Sequence, residues 1–226
     1  MALDKLLRKA LEKHNKRDYR EAAKLYKKIL AADPKHLDGN YLLGTLYAEC
    51  GEGDKAIFYL SKACLINPMS PKVQVNLGNV YLTAGMADKA VSHYRQAIGL
   101  ASHMFEAHLG LGSALLELNQ DLDQAEQALR KAAMLAPRVP AIRYTIGMLL
   151  QRQGRLDEAV KELEAVREMI PSFPRINAVL GSISLQQGNK ETAASYFREG
   201  CRINPEDAEC ASLLAEAEGV SSEASA

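Results

Sequence analysis

His103 and His108 are the two histidines nearest each other in the chain, and they are the first residues to test for metal chemistry. Their five-residue separation turns them to different sides of a helix, and neither has a second histidine or cysteine at the three- or four-residue step that zinc sites use. The carboxylate pairs Asp121/Asp123 and Asp157/Glu158 have the composition of a general acid and base, but each stands where a helix begins and reads better as a terminus stabiliser. Gly110-Leu111-Gly112 is a fragment of the dinucleotide fingerprint, and the chain contains neither a G-x-x-x-x-G-K-[ST] phosphate loop nor a G-x-S-x-G elbow. Cys50, Cys64, Cys201 and Cys210 form no C-x-x-C pair and read as reduced, small apolar fillers. The expectation is a protein that is not an enzyme, with no metal and no cofactor.

The elements that would carry these residues come from a repeat. Pro34 and Pro68 are 34 residues apart, as are Pro137, Pro171 and Pro205 in succession, and the 69 residues from Pro68 to Pro137 make two such periods plus one residue. Leu-Gly recurs at Leu43-Gly44, Leu77-Gly78, Leu111-Gly112 and Leu180-Gly181, with Ile146-Gly147 as a variant. Alanine follows each glycine after twelve residues at Ala56, Ala90, Ala159 and Ala193, and after thirteen at Ala125, which puts the extra residue between Asn119 and Asp123. Apolar side chains recur at three- and four-residue steps before and after Gly51, so each period is helix, turn, helix. Gly51, Gly85, Gly154 and Gly188 fit left-handed caps, Asp54, Asp88 and Asp157 fit N-caps of the second helix, and Pro71, Pro140 and Pro174 fit the first turn of the next. The small residues fit the line of closest helix approach, where Gly78→Leu or Ala90→Leu should cost about 1–3 kcal/mol through overpacking.

Thirty-four-residue units with Leu-Gly, then Tyr47 or Tyr81, then alanine, then Tyr26, Tyr94 or Phe197, then Ala63, Ala97 or Ala132 and proline resemble the tetratricopeptide repeat (TPR). The resemblance implies an all-α, right-handed α-solenoid of antiparallel helix pairs. Six units are placed at 3–36, 37–70, 71–104, 105–139, 140–173 and 174–207, with a capping helix at 208–218 and a disordered tail at 219–226. Ala10 replaces glycine in the first unit, Ser102 replaces the closing proline in the third, and the fourth lacks the turn glycine.

The resemblance also implies a concave wall of first helices that holds a segment of another protein. The fifth slot supplies Tyr41, Val75, Leu109 and Tyr144, the sixth Asn76, the ninth Thr45, Asn79, Ser113 and Met148, and the twelfth Leu82, Leu116 and Leu185. This apolar stripe, edged by hydroxyls and amides, suits an apolar peptide or helical segment. Two specialised sites are not matched. The co-chaperone clamp positions read Leu7, Leu11, Leu42, Lys72 and Asn76, and the asparagine ladder of nucleotide-sugar transferases survives only at Asn76.

The chain has 226 residues, with 28 basic and 28 acidic side chains giving a formal net charge of zero. A balanced charge gives no global attraction for nucleic acid. No apolar run approaches the ~18 residues of a membrane helix, and the opening Met1–Lys13 lacks an apolar signal core. A cytoplasmic location is the expectation. Residues 1–28 hold ten basic and four acidic side chains, and residues 206–226 six acidic and no basic ones. Opposite charge at opposite ends implies a homo-oligomer formed head to tail. The alternative role is an accessory or targeting subunit of a separately encoded transferase, or of a bacterial assembly apparatus of the magnetosome or secretion type.

Overall fold

Helices of this chain begin and end where its glycines, prolines and Asn-Pro pairs stand. The computed structural model describes residues 2–173 and 175–218. These contain α1 (Ala2–Asn15), α2 (Tyr19–Ala32), α3 (Leu37–Glu49), α4 (Gly53–Ile66), α5 (Pro71–Thr83), α6 (Ala87–Leu100), α7 (Phe105–Leu118), α8 (Leu122–Leu135), α9 (Pro140–Arg152), α10 (Leu156–Met169), α11 (Ile176–Gln186), α12 (Lys190–Ile203) and α13 (Ala208–Glu218), and no strand. Alone, helices of 11 to 14 residues are marginal in water, so their stability comes from packing. The fold is all-α. The helices pack in sequence as α1/α2, α3/α4, α5/α6, α9/α10 and α11/α12, and α6 packs as closely on α7. Pro174 and the tail at 219–226, for which an N-terminal turn and disorder were expected, lie outside the described residues.

The turn inside each pair reverses the chain through one left-handed residue. Gly51, Gly85, Gly154 and Gly188 have φ between 71° and 81°, and a side chain would strain each. After Gly51, the Glu52 amide donates to the Tyr47 carbonyl at 2.9 Å, closing the end of α3. Arg17 (φ 59°) does the same work between α1 and α2. Between α7 and α8 two residues are left-handed, Asn119 at 51° and Asp121 at 44°. The inserted residue is therefore absorbed within the turn, and the Asp121 carboxylate accepts from the Gln124 amide to cap α8.

The capping expected of Asp54, Asp88 and Asp157 is corrected. The N-caps of α4, α6 and α10 are Glu52, Met86 and Arg155, without a side-chain cap bond. The aspartates are the second residues of these helices, two past the N-cap, where they favour the positive end of the dipole instead. Asp157 accepts from the Gln187 amide at 2.8 Å. Pro71 and Pro140 begin α5 and α9, a position at which the missing N–H costs nothing.

Four first-helix glycines, Gly44, Gly78, Gly147 and Gly181, face the large side chain sixteen residues later. A Cβ at Gly44 would lie 2.7 Å from Leu60, at Gly78 2.8 Å from Tyr94, at Gly147 2.6 Å from Leu163 and at Gly181 2.4 Å from Phe197. Ala10 and Tyr26, both fully buried, hold the same positions in the first pair. The glycine thus admits the bulky residue of its partner helix, while Ala56, Ala90, Ala159 and Ala193 are wholly buried beside it.

A second device ties one pair to the next. Asn40, Gln74 and His108 are buried, spaced by 34, and each donates an N–H to the carbonyl six residues earlier, on Pro34, Pro68 and Ser102, at 3.0 to 3.1 Å. The turn entering the helix is thereby held to its first coil. His108 is a strut, and among the described residues no cluster of metal-ligating side chains occurs.

The chain divides into two compact units, Met1–Ala128 and Leu129–Ala226. In the first, Tyr26, Leu43, Leu60 and Leu77 belong to one continuous core. In the second, Phe197 and Cys210 pack with Leu213 and Leu214, closing α12 against α13. Among the described residues no helix is long and apolar enough to cross a membrane. Of the cysteines, Cys210 fills the core as expected, whereas Cys50 is exposed.

Candidate protein-binding surfaces

In the first unit the first helices of successive pairs touch, α3 on α5 and α5 on α7. The contact is specified by chemistry: the Asn76 amide donates to the Tyr41 hydroxyl at 3.0 Å. Burial pushes the Tyr41 pKa up, and the hydrogen bond from Asn76 opposes that shift. Leu82, Leu109, Ser113 and Leu116 are half-buried along the same helices. Val75 is different, at 4% exposed. It lies in the interior and has no surface to present.

The polar members of the stripe are largely engaged within the chain. The Thr45 hydroxyl donates to the Leu42 carbonyl at 2.9 Å. Asn79 is exposed, yet its carbonyl oxygen accepts from the Tyr94 hydroxyl at 2.7 Å. Tyr94 is fully buried, and burial raises its pKa strongly.

In the second unit Tyr144 stacks obliquely on Phe173, with ring centroids 5.0 Å apart. Burial raises the Tyr144 pKa against the opposing charge of Arg175. Met148 is half-buried on α9, and Leu185 leans on the core formed by α12 and α13. The most exposed large apolar side chains are elsewhere: Leu65 at 84%, Met134 at 77% and Met69 at 69%, on second helices and the turn after one.

A concave surface lies apart from the residues expected from the repeat slots. It lies between α2 and the α3–α4 turn, has a volume of about 720 Å³, and is lined by Arg20, Lys24, Lys27, Lys28, Lys55 and Glu52 over Ala23, Ala31 and the buried Leu46. Tyr47 stacks on Tyr59 at 5.7 Å, with the Lys55 ammonium 5.2 Å and the Lys27 ammonium 5.8 Å from the centre of the Tyr47 ring. Lys27 is drawn up in pKa by its bond to Tyr47, and Lys55 by its bond to Glu52. The signal was present in sequence as basic residues at 20, 24, 27 and 28, one helical stripe, but a surplus counted over residues 1–28 hides which face they share.

At the acidic end, Arg175 pairs with Glu209 and Arg198 with Glu218. Asp207 accepts from the Cys210 amide at 3.1 Å at the start of α13.

The repeat geometry has known counterparts. A family model described as the cilia and flagella-associated protein 70 C-terminal domain, a TPR domain, matches residues 3–225. The chain belongs to this TPR family. As a TPR chain it resembles anaphase-promoting complex subunit 3 of Schizosaccharomyces pombe, 24% identical over 135 residues that make up 60% of this chain and 20% of that protein. The crystal structure of PilW, a type IV pilus biogenesis factor, superposes with a TM-score of 0.85 over 95% of this chain and 99% of its own at 18% identity. That of MamA gives 0.64 over 71% and 93% at 27% identity. The TPR chain spans between a fifth and under a third of the curated relatives it matches. Its fold is that of a protein-interaction scaffold, an α-solenoid of antiparallel helix pairs.

Proposed function

We propose that this TPR chain holds an apolar peptide or helical segment of a protein partner along its first helices, as a scaffold within a multi-subunit assembly. The observation that carries the reading is the half-buried apolar set Leu82, Leu109 and Leu116 on adjoining helices α5 and α7, which the chain's own core leaves partly uncovered. Tyr41, Thr45, Asn76, Asn79 and Ser113 frame that set, and Tyr144, Met148 and Leu185 provide apolar contact in the second unit. Val75 is left out because it is buried. The family's description places its namesake in cilia and flagella, and the relative in yeast is a subunit of a complex; both support an assembly role over an accessory subunit of a transferase.

The six units and the α13 cap are part of this proposal. Head-to-tail self-association has fewer charges to draw on, since Glu209 and Glu218 are already paired within the chain. Sedimentation at low salt and at ~0.5 M salt, where exposed charges are screened, tests it directly.

Affinity capture with the wild type and with a Leu109→Glu/Leu116→Glu variant tests the wall. Each glutamate places a charge on an apolar patch at the cost of desolvation, so partners docked there are lost while helicity is retained. Identical captures from both proteins would remove the wall from the reading.

A further inference from the structure

The groove between α2 and the α3–α4 turn lies apart from the first-helix residues above, and it is edged by basic side chains, with Glu52 the one acidic residue in its lining. Arg20, Lys24 and Lys28 form one ridge of α2 at four-residue steps, and Ala23, Lys27 and Ala31 form the next. Lys24 sits 3.5 Å from Glu21, and Lys55 is paired with Glu52. Among the described residues no carboxylate lies within ion-pair distance of Arg20, Lys27 or Lys28. Three cations thus edge a concave surface whose floor carries Ala23 and Ala31 and so admits close approach of another backbone.

We propose that this groove docks an acidic amphipathic helix of another protein, its carboxylates set on Arg20, Lys24, Lys27 and Lys28 and its small apolar face on Ala23 and Ala31. The cations span eight residues, about 12 Å of helix axis, so carboxylates spaced three or four residues apart over two to three turns meet them in register. Such an arrangement gains orientation and association rate from charge, and contact area from the alanine floor.

Two other occupants fit less well. Single-stranded nucleic acid binds by stacking bases on open aromatic faces as well as by charge, and here the Tyr47 ring is 5% exposed, covered by Tyr59 and by two lysine ammoniums. The acidic C-terminal segment of a second copy offers fewer carboxylates than its composition suggests, because Glu209 and Glu218 are ion-paired and Asp207 caps α13 within the chain.

The experiment is fluorescence anisotropy at 50 and 200 mM salt, with the whole chain titrated into four labelled probes: a 14-residue amphipathic helix with glutamate at i, i+4, i+7 and i+8 over an alanine and leucine face, its lysine counterpart, a peptide of residues 206–226 of this chain, and oligouridine. The glutamate helix is expected to bind in preference to the other three. Its affinity should fall at least tenfold in Lys24→Glu/Lys27→Glu/Lys28→Glu, whose side chains are exposed and leave the fold intact. Lys161→Glu/Lys190→Glu/Arg138→Glu makes the same change in net charge on the second unit and should leave binding within about twofold. Equal loss in both triple variants, tighter binding of oligouridine or of the 206–226 peptide, or no binding of the glutamate helix at 50 mM salt would overturn the proposal. Leu109→Glu/Leu116→Glu should bind the glutamate helix as the wild type does, so failure of the first-helix wall and failure of this groove are read separately.

Discussion

The ring of Tyr94 occupies the space that a side chain on Gly110 would need: a Cβ there would lie 2.3 Å from Cε1 and 2.4 Å from Cζ. The same ring lies against Gly78 of its own pair. One tyrosine is therefore enclosed by a glycine of the helix before it and a glycine of the helix after it, and it joins α5, α6 and α7 into one body.

Gly110→Ala is expected to destabilise the chain by about 2–4 kcal/mol, since a buried ring must move or the helices must part. Gly99→Ala, in a helix with nothing within 4 Å of the added methyl, is expected to stabilise by up to ~1 kcal/mol through helix propensity. Urea denaturation of the two variants beside the wild type measures both, and a Gly110→Ala midpoint at or above that of the wild type would contradict the packing.

Gly154 has φ 75° and open space around its Cα. Gly154→Ala therefore isolates backbone strain from any clash, with an expected loss of about 1 kcal/mol. Arg17, left-handed at φ 59°, should respond in the opposite sense: Arg17→Gly relieves strain but loosens the unfolded chain, leaving a gain below ~1 kcal/mol. Thermal unfolding would show the opposed shifts, and two shifts of one sign would refute the turn geometry.

The Tyr41–Asn76 hydrogen bond can be weighed by a double-mutant cycle. Tyr41→Phe and Asn76→Ala should each cost about 1 kcal/mol, with a coupling of roughly 0.5–1.5 kcal/mol between them. Additive losses would mean that the bond contributes nothing to the α3–α5 contact.

Burial pushes the Tyr26 hydroxyl up to about 12, with the Glu49 charge adding to it, and burial together with the bond to Glu164 carries Tyr196 to about 12. Both groups fold in the neutral form, whereas the unfolded chain ionises near 10. The stability they contribute is fully present below pH 10 and is lost as pH rises from 10 through about 12. A falling urea midpoint over that interval, made less steep by Tyr26→Phe, is the expected result; an unchanged slope in the variant would show that Tyr26 is not the group responsible.

Much of the fold was legible because the repeat writes local and tertiary requirements into the same residues. Gly51, Gly85, Gly154 and Gly188 marked turns by a backbone property of one residue, and Pro71 and Pro140 marked helix starts in the same way. The aspartates misled because Asp54, Asp88 and Asp157 are the second residues of their helices, and a two-residue shift separates a capping hydrogen bond from a dipole interaction. The buried struts Asn40, Gln74 and His108 keep the period of 34, so their spacing was visible, but a polar residue's burial depends on what another helix lays over it.

The sequence alone determined the helix-turn-helix period, the sites of chain reversal and the all-α class, because propensity, left-handed turns and apolar spacing are properties of neighbouring residues. Only the tertiary structure decided that Val75 lies inside the core while Leu109 stays half-open, and that four basic residues of α2 meet Lys55 around one groove. Burial and charge convergence are sums over residues distant in the chain, and they exist only after the helices have packed.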